Sequence, residues 1–109
     1  MKDDLVYIDH IKDCIRKIKE FTQLIEEDDF ADNELIQDAV IRNIEIIGEA
    51  TKKVSNSFKQ TYYEMPWKEM AGMRDKLIHD YMGVDIGVVW KTIKLDIPEI
   101  DRLIKKIKI

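Results

Sequence analysis

The segment "MRDKLIHDYMG", from Met73 to Gly83, carries side chains that could perform phosphate and acid–base chemistry. Arg74 offers fixed, permanently charged donors that suit phosphate oxygens, and His79 can accept or donate a proton near neutral pH. Together they suit metal-free cleavage of RNA, in which the ribose 2′-OH attacks the adjacent phosphorus while the arginine stabilises the anionic oxygens. DNA lacks that nucleophile, so the pair predicts RNA as the substrate class.

The spacing of Arg74 and His79 is unusual for two side chains that act on one substrate from one helix. A step of five residues rotates an α-helix through roughly 500°, so the two side chains point about 140° apart. Groups that work together normally lie three or four residues apart. Arg74 shares a face with Tyr81, and His79 is turned away from both unless the helix deforms near Gly83. The spacing therefore makes poor sense for one helix acting alone.

The same residues also have structural interpretations. An arginine and a histidine on one helix are commonly a surface ion-pair partner and a half-buried polar residue. Asp75 and Asp80 are candidate supporting acids, but solvated or ion-paired side chains of this kind are more common than catalytic ones. Tyr81 lies on the apolar stripe of the predicted helix, where a core position with the hydroxyl at the rim is expected.

Length and composition favour a single helical domain over residues 1–109, with room for one core. Apolar residues make up 45% of the chain and charged residues 37%, which is typical of a helical bundle. The net charge of −4 argues against a broad phosphate-binding surface. RNA binding would therefore require a locally basic cleft, with Lys52 or Lys76 as contributors beside Arg74.

The sequence predicts neither a metal site nor a bound cofactor. The single cysteine, Cys14, excludes an internal disulfide framework and a thiolate zinc cluster. His10 and Cys14 lie one helical turn apart, but two ligands are too few for a site. There is no glycine-rich phosphate loop. Because no apolar run reaches about 18 residues and no signal-peptide pattern opens the chain, we expect a cytoplasmic protein without membrane contact.

Apolar residues at three- and four-residue steps predict four main helices and no strand. The first, about residues 4–26, fades in the acidic stretch after Glu26, and the second, about residues 33–54, begins after an N-cap at Asp32. The second helix is apolar on two faces, which indicates that it lies between its own bundle and a second chain. A short helical turn is expected near residues 56–62.

Proline and glycine punctuate the second half of the chain. Pro66 suits the first position of a third helix, about residues 66–82, which Gly83 ends. Asp85 is expected to cap a fourth helix over residues 85–108. Pro98 interrupts that helix, but the apolar phase is the same on both sides, so we predict a kink rather than a break.

Four segments carry a resemblance to a known family. "RDKLIHDY" (Arg74 to Tyr81) fits the pattern of an arginine, four residues, a histidine, any residue and a tyrosine. That pattern resembles the HepT-like branch of the HEPN superfamily, the toxin halves of prokaryotic toxin–antitoxin pairs. Agreement extends in the same order along most of the chain, through "RNIEIIGEA" (residues 42–50), "PWKEMAGMRDKLIHDY" (66–81) and "VWKTIKLDIPEI" (89–100).

The resemblance implies an all-α, HEPN-like up-and-down bundle of four to five helices. It further implies a homodimer in which both copies of the motif face one cleft. The activity would be that of a metal-independent endoribonuclease acting on transfer or messenger RNA, with Arg74 and His79 as catalytic residues. Tyr81 would receive AMP groups from a cognate minimal nucleotidyltransferase, the antitoxin of a type VII-like toxin–antitoxin pair.

Two other functions stay open at the level of sequence. The chain could be a non-catalytic helical subunit that docks on a nucleotidyltransferase and regulates it. It could also be a structural helical dimer in which Arg74 and His79 only form salt bridges. The acidic net charge bears on this choice, because RNA binding gains affinity from cationic contacts and a dimer doubles the negative charge.

Overall fold

The computed structural model describes residues 2–77 and 83–107, and this part of the chain contains helices and no β-strand. The predicted all-α class is therefore confirmed. The helical elements are α1 (Lys2–Thr22), α2 (Glu27–Ala31), α3 (Glu34–Lys53), α4 (Asn56–Thr61), α5 (Trp67–Ala71), α6 (Met73–Leu77), α7 (Ile86–Lys91), a π-helical segment (Thr92–Asp96) and α8 (Ile97–Ile104).

The core forms where the apolar stripes of the long helices meet. Ile8, Ile11, Ile15 and Ile18 of α1 are at most 1% exposed, and so are Val40, Ile44 and Ile47 of α3. Burial of each such side chain contributes about 1.5–3 kcal/mol, so these two stripes alone supply a large share of the hydrophobic stabilisation. Met70, Met73 and Leu77 close the core from α5 and α6, and Val89, Ile93, Ile97, Ile100 and Ile104 close it from the C-terminal helices.

Contacts at the helix ends show an up-and-down arrangement. Asp4 at the start of α1 accepts hydrogen bonds from Ser55, just beyond the end of α3, so α1 and α3 are antiparallel. Gly48 of α3 lies against Ala71, and Glu45 contacts Arg74, so α5 and α6 run antiparallel to α3. The last helix, α8, packs beside α1, and Lys19 of α1 donates a hydrogen bond to Asp101 of α8.

The predicted helix over residues 85–108 is continuous through Pro98 but changes type just before it. Asp85 is the N-cap, as expected, and accepts a hydrogen bond from the backbone N–H of Val88. Proline has no N–H, and its ring clashes with the carbonyl four residues earlier in an ideal α-helix. The turns from Thr92 to Asp96 are wider, and the N–H of Ile97 bonds to the carbonyl of Thr92, five residues back. This wider turn keeps the helix unbroken through Pro98. The final helix, α8, ends at Ile104 rather than at residue 108.

Several predicted helix ends are wrong by a few residues, and each has a local cause. The first helix ends at Thr22 and not at 26, and the acidic stretch forms a separate short helix, α2, which buries Phe30 against Trp90. The N-cap of α3 is Asn33 rather than Asp32, because the Asn33 side chain accepts the N–H of Ile36.

The predicted helix over residues 66–82 is divided at Gly72, which ends α5 before α6 begins. Glycine weakens a helix interior because it lacks a side chain and has more conformational freedom to lose. Pro66 is the N-cap of α5 rather than its first helical residue. The remainder of that prediction, residues 78–82, lies outside the described residues, and Gly83 beyond it has the left-handed φ of 94° that suits a helix stop.

Candidate functional site

Arg74 lies at the surface of α6 because its neighbours anchor that helix in the core. Met73 and Leu77 are 3% and 1% exposed and lie one turn apart, so they hold α6 against the bundle. Arg74, one residue after Met73, is rotated out of the core, and its side chain is 50% exposed. The short helix is thus packed against the core by Met73 and Leu77 and places the Arg74 side chain at the protein surface.

Gly48 brings α3 close to the end of α5, just before α6. A Cβ atom at this position would lie 3.3 Å from the carbonyl oxygen of Ala71, a backbone atom that cannot rotate away. The absence of a side chain thus allows the two backbones to approach. As a result Glu45, one turn before Gly48 on α3, can reach Arg74.

Glu45 holds the guanidinium of Arg74 by one edge. The Nε of Arg74 donates a hydrogen bond of 2.9 Å to Oε2 of Glu45, whose side chain is 31% exposed. Nη1 lies 3.9 Å from Oδ1 of Asp75, which is too long for a hydrogen bond. Within residues 2–77 and 83–107 the two terminal Nη groups make no hydrogen bond, so the edge that can bind a phosphate bidentately is open.

The small cavity beside Arg74 is acidic rather than basic. It has a volume of about 100 Å³ and is lined by Glu45, Gly48, Glu49, Lys52, Ala71, Arg74 and Asp75. Three carboxylates thus face two cations. Lys52 lines this cavity, whereas Lys76 lines a different one, between α5, α6 and α8. The described lining therefore does not supply the basic cleft expected for RNA.

The sequence-predicted residues are only partly within the described chain. Arg74 and Asp75 are described, and Asp75 is 79% exposed, as expected for a solvated acid. His79, Asp80 and Tyr81 lie outside the described residues. Leu77 and Asp85, on either side of that segment, are joined by a hydrogen bond of 2.8 Å from the N–H of Asp85 to the carbonyl of Leu77.

The possible metal ligands on α1 do not form a site. Cys14 is buried in the core, and burial raises the pKa of its thiol, whereas His10 on the same helix is exposed. Across residues 2–77 and 83–107, no three His, Cys, Asp or Glu side chains are grouped so that they could hold a metal ion. Nor is any helix in this part of the chain long and apolar enough to span a membrane.

Comparison with known proteins identifies the family. The family model "Ribonuclease HepT-like" matches residues 11–107. The chain belongs to the HepT-like ribonuclease family. That assignment agrees with the helical fold and with the resemblance found in the four sequence segments.

Individual relatives of this HepT-like chain are of two kinds: proteins that the chain covers almost completely, and one longer protein of which it covers only about half. A probable ribonuclease HepT from Thermococcus cleftensis is 50% identical over 102 residues, which cover 94% of this chain and 93% of the relative. A candidate RNase from Caldanaerobacter subterraneus is 40% identical over 107 residues, covering 98% and 96%. A protein of Methanocaldococcus jannaschii, named as a gamma-glutamylcyclotransferase and proposed RNase, is 49% identical over 106 residues, or 97% of this chain. The chain spans only 48% of that protein's length. No solved structure was found to match this chain.

Glu45 is the residue near Arg74 that the sequence did not single out. It lies in the family-like segment "RNIEIIGEA", but no local pattern connects it with Arg74, 29 residues later. The one available signal was Gly48 within a predicted helix. A glycine in a helix interior indicates a close backbone approach, and the element that approaches here is the one that precedes Arg74.

Proposed function

We propose that this HepT-like chain is a metal-independent endoribonuclease in which Arg74 binds the scissile phosphate and His79 transfers the proton. The observation that supports the proposal most directly is the state of Arg74. Its guanidinium is held through Nε by Glu45, its side chain is 50% exposed, and its terminal Nη groups make no hydrogen bond with the described residues. An arginine that only served as a structural ion pair would need no open edge.

The reaction follows from these two groups. His79, or its copy in a second chain, removes the proton from the ribose 2′-OH as the 2′-oxygen forms a bond to the adjacent phosphorus. The bond from phosphorus to the 5′-oxygen breaks, and a proton donor returns a proton to that oxygen. The products are a 2′,3′-cyclic phosphate and a 5′-hydroxyl end. Arg74 stabilises the additional negative charge on the equatorial oxygens in the transition state, and the nearby Asp75 and Asp80 act in support.

Two further features complete the proposal. The chain acts as a homodimer, because the 140° separation of Arg74 and His79 on an ideal helix is better served by two chains than by one. Tyr81 is the site at which a minimal nucleotidyltransferase antitoxin adds AMP, in a type VII-like toxin–antitoxin pair. Phosphate charge and bulk at the mouth of the cleft would then exclude the RNA.

The test is a cleavage assay on transfer RNA and messenger RNA with purified protein in the presence of EDTA. Arg74→Ala and His79→Ala are each expected to lower cleavage by at least about 100-fold while the circular dichroism spectrum and the dimer mass stay unchanged. Arg42→Ala, an exposed arginine on α3 outside the Arg74 cavity, is the matched control and should retain activity. Near wild-type cleavage by His79→Ala would show that the catalytic assignment is wrong.

The same samples test the partner and the alternative. Incubation with the nucleotidyltransferase and ATP should add AMP to Tyr81, detected by mass spectrometry, and abolish cleavage. Protein that is inert towards every RNA but forms a stable complex with the nucleotidyltransferase would instead be the non-catalytic subunit.

A further inference from the structure

A groove between α1 and α8 carries an excess of positive charge in an otherwise acidic chain. Its volume is about 490 Å³, and its lining consists of Lys12, Arg16, Lys19, Glu20, Gln23, Asp101, Ile104 and Lys105. Four cations thus face two carboxylates, although the net charge of the whole chain is −4. The balance is the reverse of that beside Arg74.

The two helices place these cations along one line. Lys12, Arg16 and Lys19 fall on one face of α1 because they are separated by four- and three-residue steps. Ile104 of α8, 1% exposed, lies at the floor of the groove between them. The groove therefore combines a buried apolar residue with cations from two helices, which gives a polyanion several positive charges to contact.

Asp101 holds two of the lysines together across the groove. Its Oδ2 atom accepts Lys19 Nζ of α1 at 2.8 Å and Lys105 Nζ of α8 at 3.1 Å. Because both ammonium groups contact one oxygen, they are no more than about 6 Å apart. The carboxylate is only 16% exposed, whereas the side chains of Lys19 and Lys105 are 52% and 69% exposed. The two ammonium groups are thus held by a largely buried carboxylate, while the lysine side chains themselves are exposed to solvent.

The cations of the groove are available to a ligand. Lys12, which is partly buried, makes no ion pair within residues 2–77 and 83–107. The side chain of Arg16, paired with Asp13 and Glu20 on its own helix, is 54% exposed. Exposed ion pairs contribute little to stability, so phosphate oxygens can take the place of carboxylates as partners. Other phosphates of an RNA strand would contact Lys12, Lys19 and Lys105.

We propose that the α1–α8 groove, which shares no lining residue with the cavity beside Arg74, binds the phosphate backbone of RNA. The inference rests on the proposed ribonuclease function for the identity of the polyanion. It also explains how an acidic chain with an acidic cavity around Arg74 could hold RNA, because the two linings share no residue. Affinity would come from the groove, and chemistry from the Arg74 segment.

The test compares two double variants with the same change in charge. Lys12→Gln with Lys105→Gln removes two cations from the groove, whereas Lys17→Gln with Lys91→Gln removes two cations outside it, one of them on α1 itself. Both are made in the His79→Ala background, so that RNA stays intact, and thermal melts verify the fold. Binding of a labelled single-stranded RNA is measured between 50 and 300 mM KCl.

The groove variant is expected to bind RNA roughly tenfold more weakly at about 100 mM salt, and the slope of log K against log salt should fall by about 1.4. The control variant should change affinity less than about twofold. Equal weakening by both doubles, or an unchanged groove variant, would overturn the proposal. So would a groove variant that loses binding to a Glu-rich peptide and keeps binding to RNA.

The outcome is separable from that of the proposed function. If protein with His79 intact cleaves no RNA but the groove variant loses RNA affinity and the control does not, the groove proposal stands and the ribonuclease proposal fails. If cleavage is normal and the groove variant binds RNA like the parent, the ribonuclease proposal stands and the groove proposal fails.

Discussion

Removal of the Glu45 carboxylate tests whether Arg74 must be held in place to act. In Glu45→Ala the one hydrogen bond that the described structure gives to the Arg74 guanidinium is lost. The side chain, already 50% exposed, would then sample several rotamers over the cavity. We expect RNA cleavage to fall although the variant makes the cavity less acidic and thus more attractive to RNA.

The structure sets the expected magnitudes. Stability should change by no more than about 1 kcal/mol, since both partners of the ion pair are substantially exposed. In a domain of this size that corresponds to a Tm shift of at most about 8 °C. An arginine side chain has about 2 kcal/mol of rotamer entropy, so the loss of its anchor can lower kcat by up to about 30-fold.

Two companion variants separate positioning from electrostatics. Glu45→Gln keeps an acceptor for Arg74 Nε without the charge and should restore kcat to within about fivefold of wild type. Glu49→Ala removes a carboxylate from the same cavity, one turn further along α3, that makes no hydrogen bond to Arg74 in the described chain. It should leave kcat unchanged and lower KM by reducing repulsion.

The assay is steady-state cleavage of one RNA at several concentrations, so that kcat and KM are obtained separately. A positioning role predicts a lower kcat in Glu45→Ala only. If Glu45→Ala cleaves RNA as fast as wild type or faster, and Glu49→Ala behaves in the same way, Glu45 merely repels the substrate and the reasoning is refuted.

Three predictions concern stability. Asp4→Ala should lower the free energy of unfolding in urea denaturation by about 2 kcal/mol, because this 3% exposed carboxylate accepts two hydrogen bonds from a serine beyond α3. Asp3→Ala, at an exposed position, is the control, and an equal loss of stability in that variant would contradict the prediction. Burial alone would raise the pKa of Asp101, but hydrogen bonds from two lysines lower it. The stability gained from Asp101 is therefore present above its unfolded pKa of about 3.9 and is lost as pH falls through its lower folded pKa. The difference in the free energy of unfolding between wild type and Asp101→Asn should therefore narrow as the pH falls below about 4, and a constant difference would argue against the lysine contacts. Phe30→Ala should lower the free energy of unfolding in chemical denaturation by about 3–5 kcal/mol because the ring is fully buried. Leu24→Ala, whose side chain is 89% exposed, is the control, and an equally small loss of stability in Phe30→Ala would contradict the core position of Phe30.

Periodicity predicted the core well because it is a property of neighbours along the chain. The isoleucines of α1 recur at steps of three and four residues, and Ile8, Ile11, Ile15 and Ile18 are all buried. The second apolar stripe of α3 was less informative. Ala50 joins the core, but Leu35 is 80% exposed, and an apolar residue alone does not show which surface covers it. A second chain on that face stays a prediction.

Boundaries were predicted less well because small local effects decide them. Asn33 and Asp32 are both good N-caps, and the choice between them depends on which side chain reaches the N–H of Ile36. The acidic stretch after Glu26 reads as the end of a helix, yet Phe30 gains enough from burial against Trp90 to organise a helix of its own.

The sequence by itself determined the helical class, the apolar faces and the chemistry available at Arg74, because residue types and their spacing along a helix decide these. Only the tertiary structure decided which groups meet. Glu45 reaches Arg74 from 29 residues away, and Asp101 joins Lys19 from 82 residues away. No local pattern encodes such pairs, since the packing of whole helix faces sets their distance. The placement of Gly48 against Ala71 shows the same point, because one missing side chain allows two helices to approach and thereby positions the acid beside the arginine.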